Sequence, residues 1–179
     1  MTITAFDLSD GNEPMSYGEI NLLVSLAKRL PPDPLIVNIG AADGVSTVAM
    51  LEARPDCFIF SVDIGECPQE RANVEAAGLD PARLVRLLGR SQDIGKEFPY
   101  EADLVLDDGG HDYGSVRGDI EVWGPKVKIG GILAFHDYIP GENPPNNPGE
   151  VYEAVTENLP DWFEQIGWVD RLIAFRRAG

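Results

Sequence analysis

Two histidines stand in a chain of 179 residues, and each sits beside carboxylates just after a short apolar run. The first lies in Leu106-Asp107-Asp108-Gly109-Gly110-His111-Asp112-Tyr113, the second in His136-Asp137. Charged and imidazole groups are poor strand-end residues unless something satisfies them, and neighbouring carboxylates repel. A hard divalent cation relieves that repulsion. Asp108 and Asp137, delivered by neighbouring strands, can reach one ion. Both histidines at one predicted mouth favour chemistry over a merely structural role.

A second group surrounds a glycine turn, Asn38-Ile39-Gly40-Ala41-Ala42-Asp43-Gly44-Val45-Ser46-Thr47. Gly40 and Gly44 permit a tight bend and close backbone approach, and Ser46-Thr47 opens a helix whose free amides favour anionic groups. Asp63 ends the next apolar run, 19 residues beyond Gly44. A carboxylate there is placed to accept both hydroxyls of a ribose, or to cap the following turn. The Gly-x-Gly-x-x-Gly pattern of pyrophosphate binders is missing, because Ala42 stands at its second glycine. That points from dinucleotides toward a nucleoside without phosphates, and S-adenosylmethionine (SAM) fits. A polar cluster, Gly89-Arg90-Ser91-Gln92-Asp93, follows the third run. Ser91 and Gln92 suit the edge of an adenine, and Ser91 equally suits a helix N-cap.

These residues need elements to hold them. Ser16-Tyr17-Gly18-Glu19 reads as a capping box, and Ile20, Leu23, Leu26, Ala27 and Leu30 follow at helical spacing before a proline-rich stop. The runs 35–39, 57–63, 83–88, 102–107 and 132–135 are short, apolar and β-branched, as in strands buried on both faces. Helices are expected between them, at 46–54, 68–77 and from Ser91. A further helix carries Tyr113, Val116, Ile120, Trp123 and Val127, stepping by three and four. Gly130-Gly131 then resets the chain into the fifth strand. Residues 139–149, rich in Pro, Asn and Gly, form a loop, and a helix spans 150–159. The runs 162–169 and 171–177 leave no room for a crossover, so they pair antiparallel. Strand-helix alternation gives an α/β, doubly wound, mostly parallel sheet of seven strands with a reversed last strand. Ligands of such sheets bind at the carboxyl ends of the strands.

Composition narrows the partners. Fourteen Lys and Arg against 30 Asp and Glu leave a formal charge of -16. That surface repels nucleic acid and acidic membranes alike, although a halophilic or marine source would give the same balance. Neither a secretory signal nor an 18-residue apolar stretch is visible, and Cys57 and Cys67 are too few for a disulfide framework. The expectation is one cytoplasmic, reduced domain over residues 1–179.

Asp108-x-x-His111-x-Tyr113, followed by Val116, Asp119, Trp123, Gly130-Gly131 and His136-Asp137, resembles a subgroup of class I SAM-dependent methyltransferases. These are the metal-dependent O-methyltransferases related to macrolide-sugar methyltransferases and cephalosporin-hydroxylase-like proteins. The resemblance spans roughly residues 35–177 and implies a Rossmann-like fold. The strand-one turn and the acidic strand-two end resemble the class's general cofactor motifs, so Asn38, Gly40, Ala42, Gly44, Ser46 and Asp63 are expected to contact the cofactor, with Ser91 and Gln92 from their place after the third run. The resemblance assigns Asp108, His136 and Asp137 to a divalent metal, Mg²⁺, and His111 to the general base. Two departures stand out: Asn38 replaces a usual acid, and His136 replaces an acid in the strand-five pair. Imidazole suits transition metals, so His136 either shifts the preference toward Mn²⁺ or Zn²⁺ or orients Asp137 or substrate. Asp107 belongs to the metal site or to the cofactor pocket.

The resemblance thus implies metal-assisted methyl transfer to a hydroxyl of a small molecule, with residues 139–149 covering the acceptor. Residues 1–33 form a helical extension, short enough that the acceptor pocket is either open or completed by a second subunit in a homo-oligomer. The competing readings are a metal-independent methyltransferase, a nicotinamide-dependent oxidoreductase and a non-catalytic nucleoside-binding module.

Overall fold

The computed structural model describes residues 2–9, 11, 14–141 and 149–179. The chain opens with α1 (Ala5–Leu8) and α2 (Tyr17–Ala27). It continues through β1 (Leu35–Ile39), α3 (Val45–Ala53), β2 (Phe58–Asp63), α4 (Pro68–Ala76) and β3 (Leu84–Leu88). Then follow α5 (Ser91–Glu97), β4 (Ala102–Asp107), α6 (Tyr113–Trp123), β5 (Val127–Phe135), α7 (Gly149–Asn158), β6 (Phe163–Val169) and β7 (Leu172–Arg177). The seven strands form one sheet in the order β3-β2-β1-β4-β5-β7-β6. Strands β1 to β5 pair in parallel. Strand β7 runs antiparallel to both β5 and β6, as the terminal hairpin requires.

Strands β1, β2 and β4 are largely apolar because both faces are covered, whereas β3 and β6, at the two edges of the sheet, carry Arg86, Glu164 and Gln165. Ile36, Leu104 and Leu106 point into a core shared with α1 to α4, which contribute Ile20, Leu23, Val48 and Val74. Their neighbours Val37, Ile39 and Val105 point into a second core, built on Val116, Ile120 and Trp123 of α6 and on Val151 and Val155 of α7. A period of two thus feeds two cores instead of separating core from water.

Several boundaries shift from the sequence reading, two of them furthest. Helix α6 stops at Trp123, and Val127 already belongs to β5. Pro125, which offers no N–H for continued helical bonding, turns the chain into a short 3-10 segment, Gly124–Lys126. Gly130 and Gly131 lie inside β5, where the pairing with β4 shifts register. Gly130 adopts a φ of 81°, a conformation that suits glycine at a bulge. No helix among the described residues is long and apolar enough to cross a membrane.

Strand order reverses between β1, which leads outward to β2, and β4, which leads outward to β5. The crevice beyond the carboxyl ends of the strands at that reversal is where such sheets take ligands.

Candidate active site

A cavity of about 330 Å³ opens at this reversal, lined by Gly40, Ala42, Asp63, Ile64, Gly89, Ser91 and Asp108 among others. The β1 turn can lie here only because of its glycine. Gly40 has φ 75°, and a Cβ would stand 1.9 Å from the Asp108 carbonyl oxygen. Ala42 is also left-handed, at φ 44°, and its N–H donates to Asp63 Oδ2 at 3.2 Å. The other oxygen of Asp63 accepts from Gly65 N at 2.8 Å, so one carboxylate ties two turns at the mouth. Gly44, φ 86°, caps α3 against Glu70 of α4, whose Cγ would lie 2.7 Å from an added Cβ.

Asn38 and Ser46 do not line this cavity. The Asn38 side chain is fully buried and donates to Ser46 Oγ at 3.0 Å and Thr47 Oγ1 at 2.9 Å, leaving its own Oδ1 unpartnered. Thr47 passes the chain on to Glu70 Oε1 at 2.6 Å, and Ser61 donates to Glu70 Oε2 at 2.9 Å. Arg86 of β3 closes the network as an ion pair with the same buried carboxylate. Sequence reading missed Glu70 and Arg86, since a lone acid in a polar helix and a lone base in a strand look like solvated residues.

Ser91 is the first residue of α5 rather than its cap, a place taken by Arg90. Its hydroxyl lies at the cavity wall and donates to Asp119 Oδ1 at 2.5 Å. Gln92 turns away from the cavity, donating to Asp119 Oδ2 at 3.0 Å and the Ser115 carbonyl at 3.1 Å. Asp107 sits beneath, accepting only a 3.3 Å bond from Gly109 N, with Oδ2 unpartnered. Burial, and secondarily the charge of Asp119, pushes the Asp107 carboxyl well above its ordinary range.

Beyond the cavity, β4 and β5 end side by side, and His136 N donates to the Asp107 carbonyl at 2.9 Å. Donor atoms of Asp108, His111 and Asp137 there lie within 4.8 Å of one another. His111, about half exposed, places Nε2 3.1 Å from Asp137 Oδ2 and 3.9 Å from Asp108 Oδ1. The bond to Asp108 and the Asp137 charge raise its pKa against the cost of burial. Asp137 is held at φ 54°, a left-handed strain at a non-glycine residue. Arg171, from the β6–β7 turn, donates to its Oδ1 at 3.0 Å. Burial would raise the Asp137 carboxyl, but His136, His111 and Arg171 together hold it below the usual range.

His136 faces inward, 3 % exposed. Its Nδ1 lies 3.1 Å from Asp108 Oδ1 and 3.5 Å from Asp137 Oδ2. Its Nε2 lies 3.3 Å from Glu19 Oε2, close enough for ion pairing but off the line of a hydrogen bond. Burial opposes the charge, yet these three carboxylates hold the proton and push the pKa up to about 12. The ring is buried with its Nδ1 against both carboxylates, in a position to brace them from behind. His111, expected to be the base, shares the open side with them. Two carboxylate oxygens and one imidazole nitrogen make a donor set that accepts Mg²⁺ and favours Mn²⁺ or Zn²⁺ more.

A glycine turn and strand-two carboxylate at a sheet reversal, beside an acidic and imidazole edge, define a class of nucleoside-cofactor enzyme. A family model described as a methyltransferase domain matches residues 37–138. The chain belongs to that family and is a SAM-dependent methyltransferase. Cofactor-bound Rv0187 from MTB superposes with a TM-score of 0.77 at 18% identity, covering 98% of this chain and 87% of that one. The O-methyltransferase NovP gives 0.71 at 17% identity, covering 92% and 81%. A provisionally assigned rRNA-methylase from Clostridium thermocellum gives 0.69 at 13% identity, covering 91% and 99%. Identities this low speak for the fold. A comparison with curated proteins finds no match.

Proposed function

We propose that this enzyme moves the methyl group of SAM to a hydroxyl of a small molecule, with a divalent cation held by Asp108 and Asp137. One observation carries the reading: Asp108 lines the nucleoside-sized cavity and belongs to the donor cluster, so cofactor and acceptor would meet at it. Bound SAM supplies a methyl carried on a sulfonium, and a bound cation supplies Lewis acidity that lowers the pKa of a hydroxyl. The protein's own part is positioning. Asp63 would accept the ribose hydroxyls, the Gly40 turn would admit the amino-acid tail, and Ser91 would stand at the base. Asn38 and Ser46, turned toward each other, would support that turn from below.

His111 takes the acceptor proton in this account. Its Nε2 lies 3.1 Å from Asp137 Oδ2, so that carboxylate would orient the ring and leave Nδ1 as the basic atom. The gathering of its Nε2 with both carboxylates favours a second reading, in which His111 is a third ligand of the ion.

The acceptor side lies across the cluster from the cavity. There Tyr138 follows Asp137, with Tyr152 at 5.1 Å and Trp168 at 5.6 Å between ring centroids. Aromatic faces and a formal charge of -16 suit a small acceptor better than a polyanionic nucleic acid. We read residues 1–179 as one such domain acting in the cytoplasm, with 1–33 as a helical extension and an acceptor pocket either open or completed by a second subunit. The acceptor-side loop expected at 139–149 lies for the most part, at 142–148, outside the described residues.

The test is turnover with a panel of hydroxylated small molecules, scored by release of S-adenosylhomocysteine. EDTA should suppress it and Mn²⁺ or Mg²⁺ restore it. His111→Ala should abolish it while SAM affinity by calorimetry stays within about threefold. Turnover that survives EDTA removes the cation from the account, and turnover retained by His111→Ala removes the base. A tenfold loss of Mn²⁺ affinity in that variant selects the ligand role.

A further inference from the structure

Among the described residues there are two capping boxes, and they differ in a way that helix capping does not explain. At α1, Thr4 and Asp7 satisfy each other's backbone in an exposed setting. At α2, Ser16 and Glu19 do the same, but the Glu19 side chain is fully buried. Capping needs a carboxylate oxygen for one backbone N–H and can be done at the surface. Burying a carboxylate is costly unless its oxygens are occupied.

They are occupied, and two of the partners lead to the reaction centre. Glu19 Oε2 accepts from Ser16 N at 2.6 Å and lies 3.3 Å from His136 Nε2. Glu19 Oε1 accepts from Arg171 N at 2.8 Å. His136 in turn sets its Nδ1 against Asp108 Oδ1, and Arg171 sets its Nη1 against Asp137 Oδ1. Glu19 thus stands one residue behind each carboxylate of the cluster, through the His136 ring on one side and through Arg171 on the other, whose backbone N–H it holds and whose Nε lies 3.7 Å from Oε1. Asp137 holds a left-handed backbone, a strain that persists only where its surroundings over-determine it.

We infer that Glu19 is a positioning residue of the reaction centre, aiming Asp108 through His136 and Asp137 through Arg171. The inference rests on the reading of the cluster given above. It assigns the N-terminal helix a part in the chemistry, and it explains how a histidine serves where the strand-five pair would otherwise offer an acid. Groups behind metal-binding side chains typically change metal affinity by about 10- to 100-fold when removed.

Glu19→Gln is the decisive variant, because a glutamine oxygen still caps α2 while the charge facing His136 is gone. With two histidines in the chain, long-range ¹H–¹⁵N spectra of the intact protein separate both rings. The expected result is a shift of the His111 ring resonances, Mn²⁺ binding weakened by about 10-fold or more, kcat reduced, and SAM affinity within about twofold. Asp7→Asn, at the other capping box, should leave all four readouts at wild-type values. Wild-type His111 resonances and Mn²⁺ affinity in Glu19→Gln, with only a lower unfolding temperature, would overturn the inference and leave a helix cap. Should Glu19→Gln fail to fold, His136→Gln leaves the cap intact and must weaken Mn²⁺ binding equally; wild-type affinity there overturns it too. Absence of Mn²⁺ binding in the wild type would end the cation reading, and the His111 resonances of Glu19→Gln in SAM-bound protein would then decide this inference alone.

Discussion

Two buried glutamates organise the two halves of the sheet edge, and they are finished differently. Glu70, under the glycine turn, is closed: Thr47, Ser61 and Arg86 occupy its oxygens, and nothing in its network faces the cavity. Glu19, behind the β4–β5 edge, belongs to an open network. Its chain of contacts ends on the cluster of Asp108, His111 and Asp137, in which Asp137 holds a strained backbone, the His111 pKa is raised and that of Asp137 lowered. A closed network buys rigidity, whereas an open one holds charged groups ready for something absent from the chain. Substitutions should therefore hurt stability in the first and activity in the second.

The largest effect is expected where the closed network is cut. Arg86→Met leaves the Glu70 charge buried without its cation, at a cost of about 3–5 kcal/mol, seen as a lower midpoint in urea unfolding. A change below about 1 kcal/mol would mean that Glu70 is not charged as described. The matching cut in the open network is Asp108→Asn. It should lower kcat at least about 100-fold with stability within about 1 kcal/mol, because it removes one of several crowded carboxylates. Unfolding instead of inactivation would erase the contrast.

Gly40→Ala sits between the halves and should be intermediate. The left-handed backbone costs about 1–2 kcal/mol, and the new Cβ meets the Asp108 carbonyl, which must move. SAM affinity should fall at least about tenfold by calorimetry, and unchanged affinity would place the cofactor elsewhere.

The smallest effect concerns Asp119, whose carboxyl burial raises to about 6 while Ser91 and Gln92 oppose the rise. A folded-state value above the unfolded 3.8 means that the folded chain binds the proton more tightly. This group's contribution is therefore full below about pH 4 and is lost as pH climbs through about 6. Asp119→Asn should flatten the decline of stability between pH 4 and 6 relative to wild type, and gain about 1 kcal/mol at pH 7 after losing two charged hydrogen bonds. Parallel stability curves for the two proteins would show that Asp119 does not titrate there.

The sheet was legible because its physics is local. Runs such as 35–39 and 132–135 need two covered faces, and a two-residue gap between 169 and 172 permits only a hairpin. The two histidine-bearing strand ends, on the parallel neighbours β4 and β5, were expected from the alternation of strands and helices. Side-chain direction was not legible. His136 and His111 differ in role because one ring turns inward to Glu19 and the other outward, and neighbouring sequence says nothing of which. Glu19 meets Arg171, 152 residues away in the chain, so its second duty is hidden behind an ordinary capping signal. Asn38 likewise read as a cofactor contact from its place in the turn, while Thr47 and Ser46 draw it beneath.

The central claim is that the cavity at the strand reversal and the carboxylates of Asp108 and Asp137 form one reaction centre. A crystal grown with S-adenosylhomocysteine and Mn²⁺, measured at the manganese edge, tests it directly. The account predicts a ribose on Asp63 and a single anomalous peak shared by Asp108 and Asp137, beside the cofactor sulfur. A nucleoside seated in the cavity with manganese bound elsewhere, or with neither carboxylate touching it, would contradict the account.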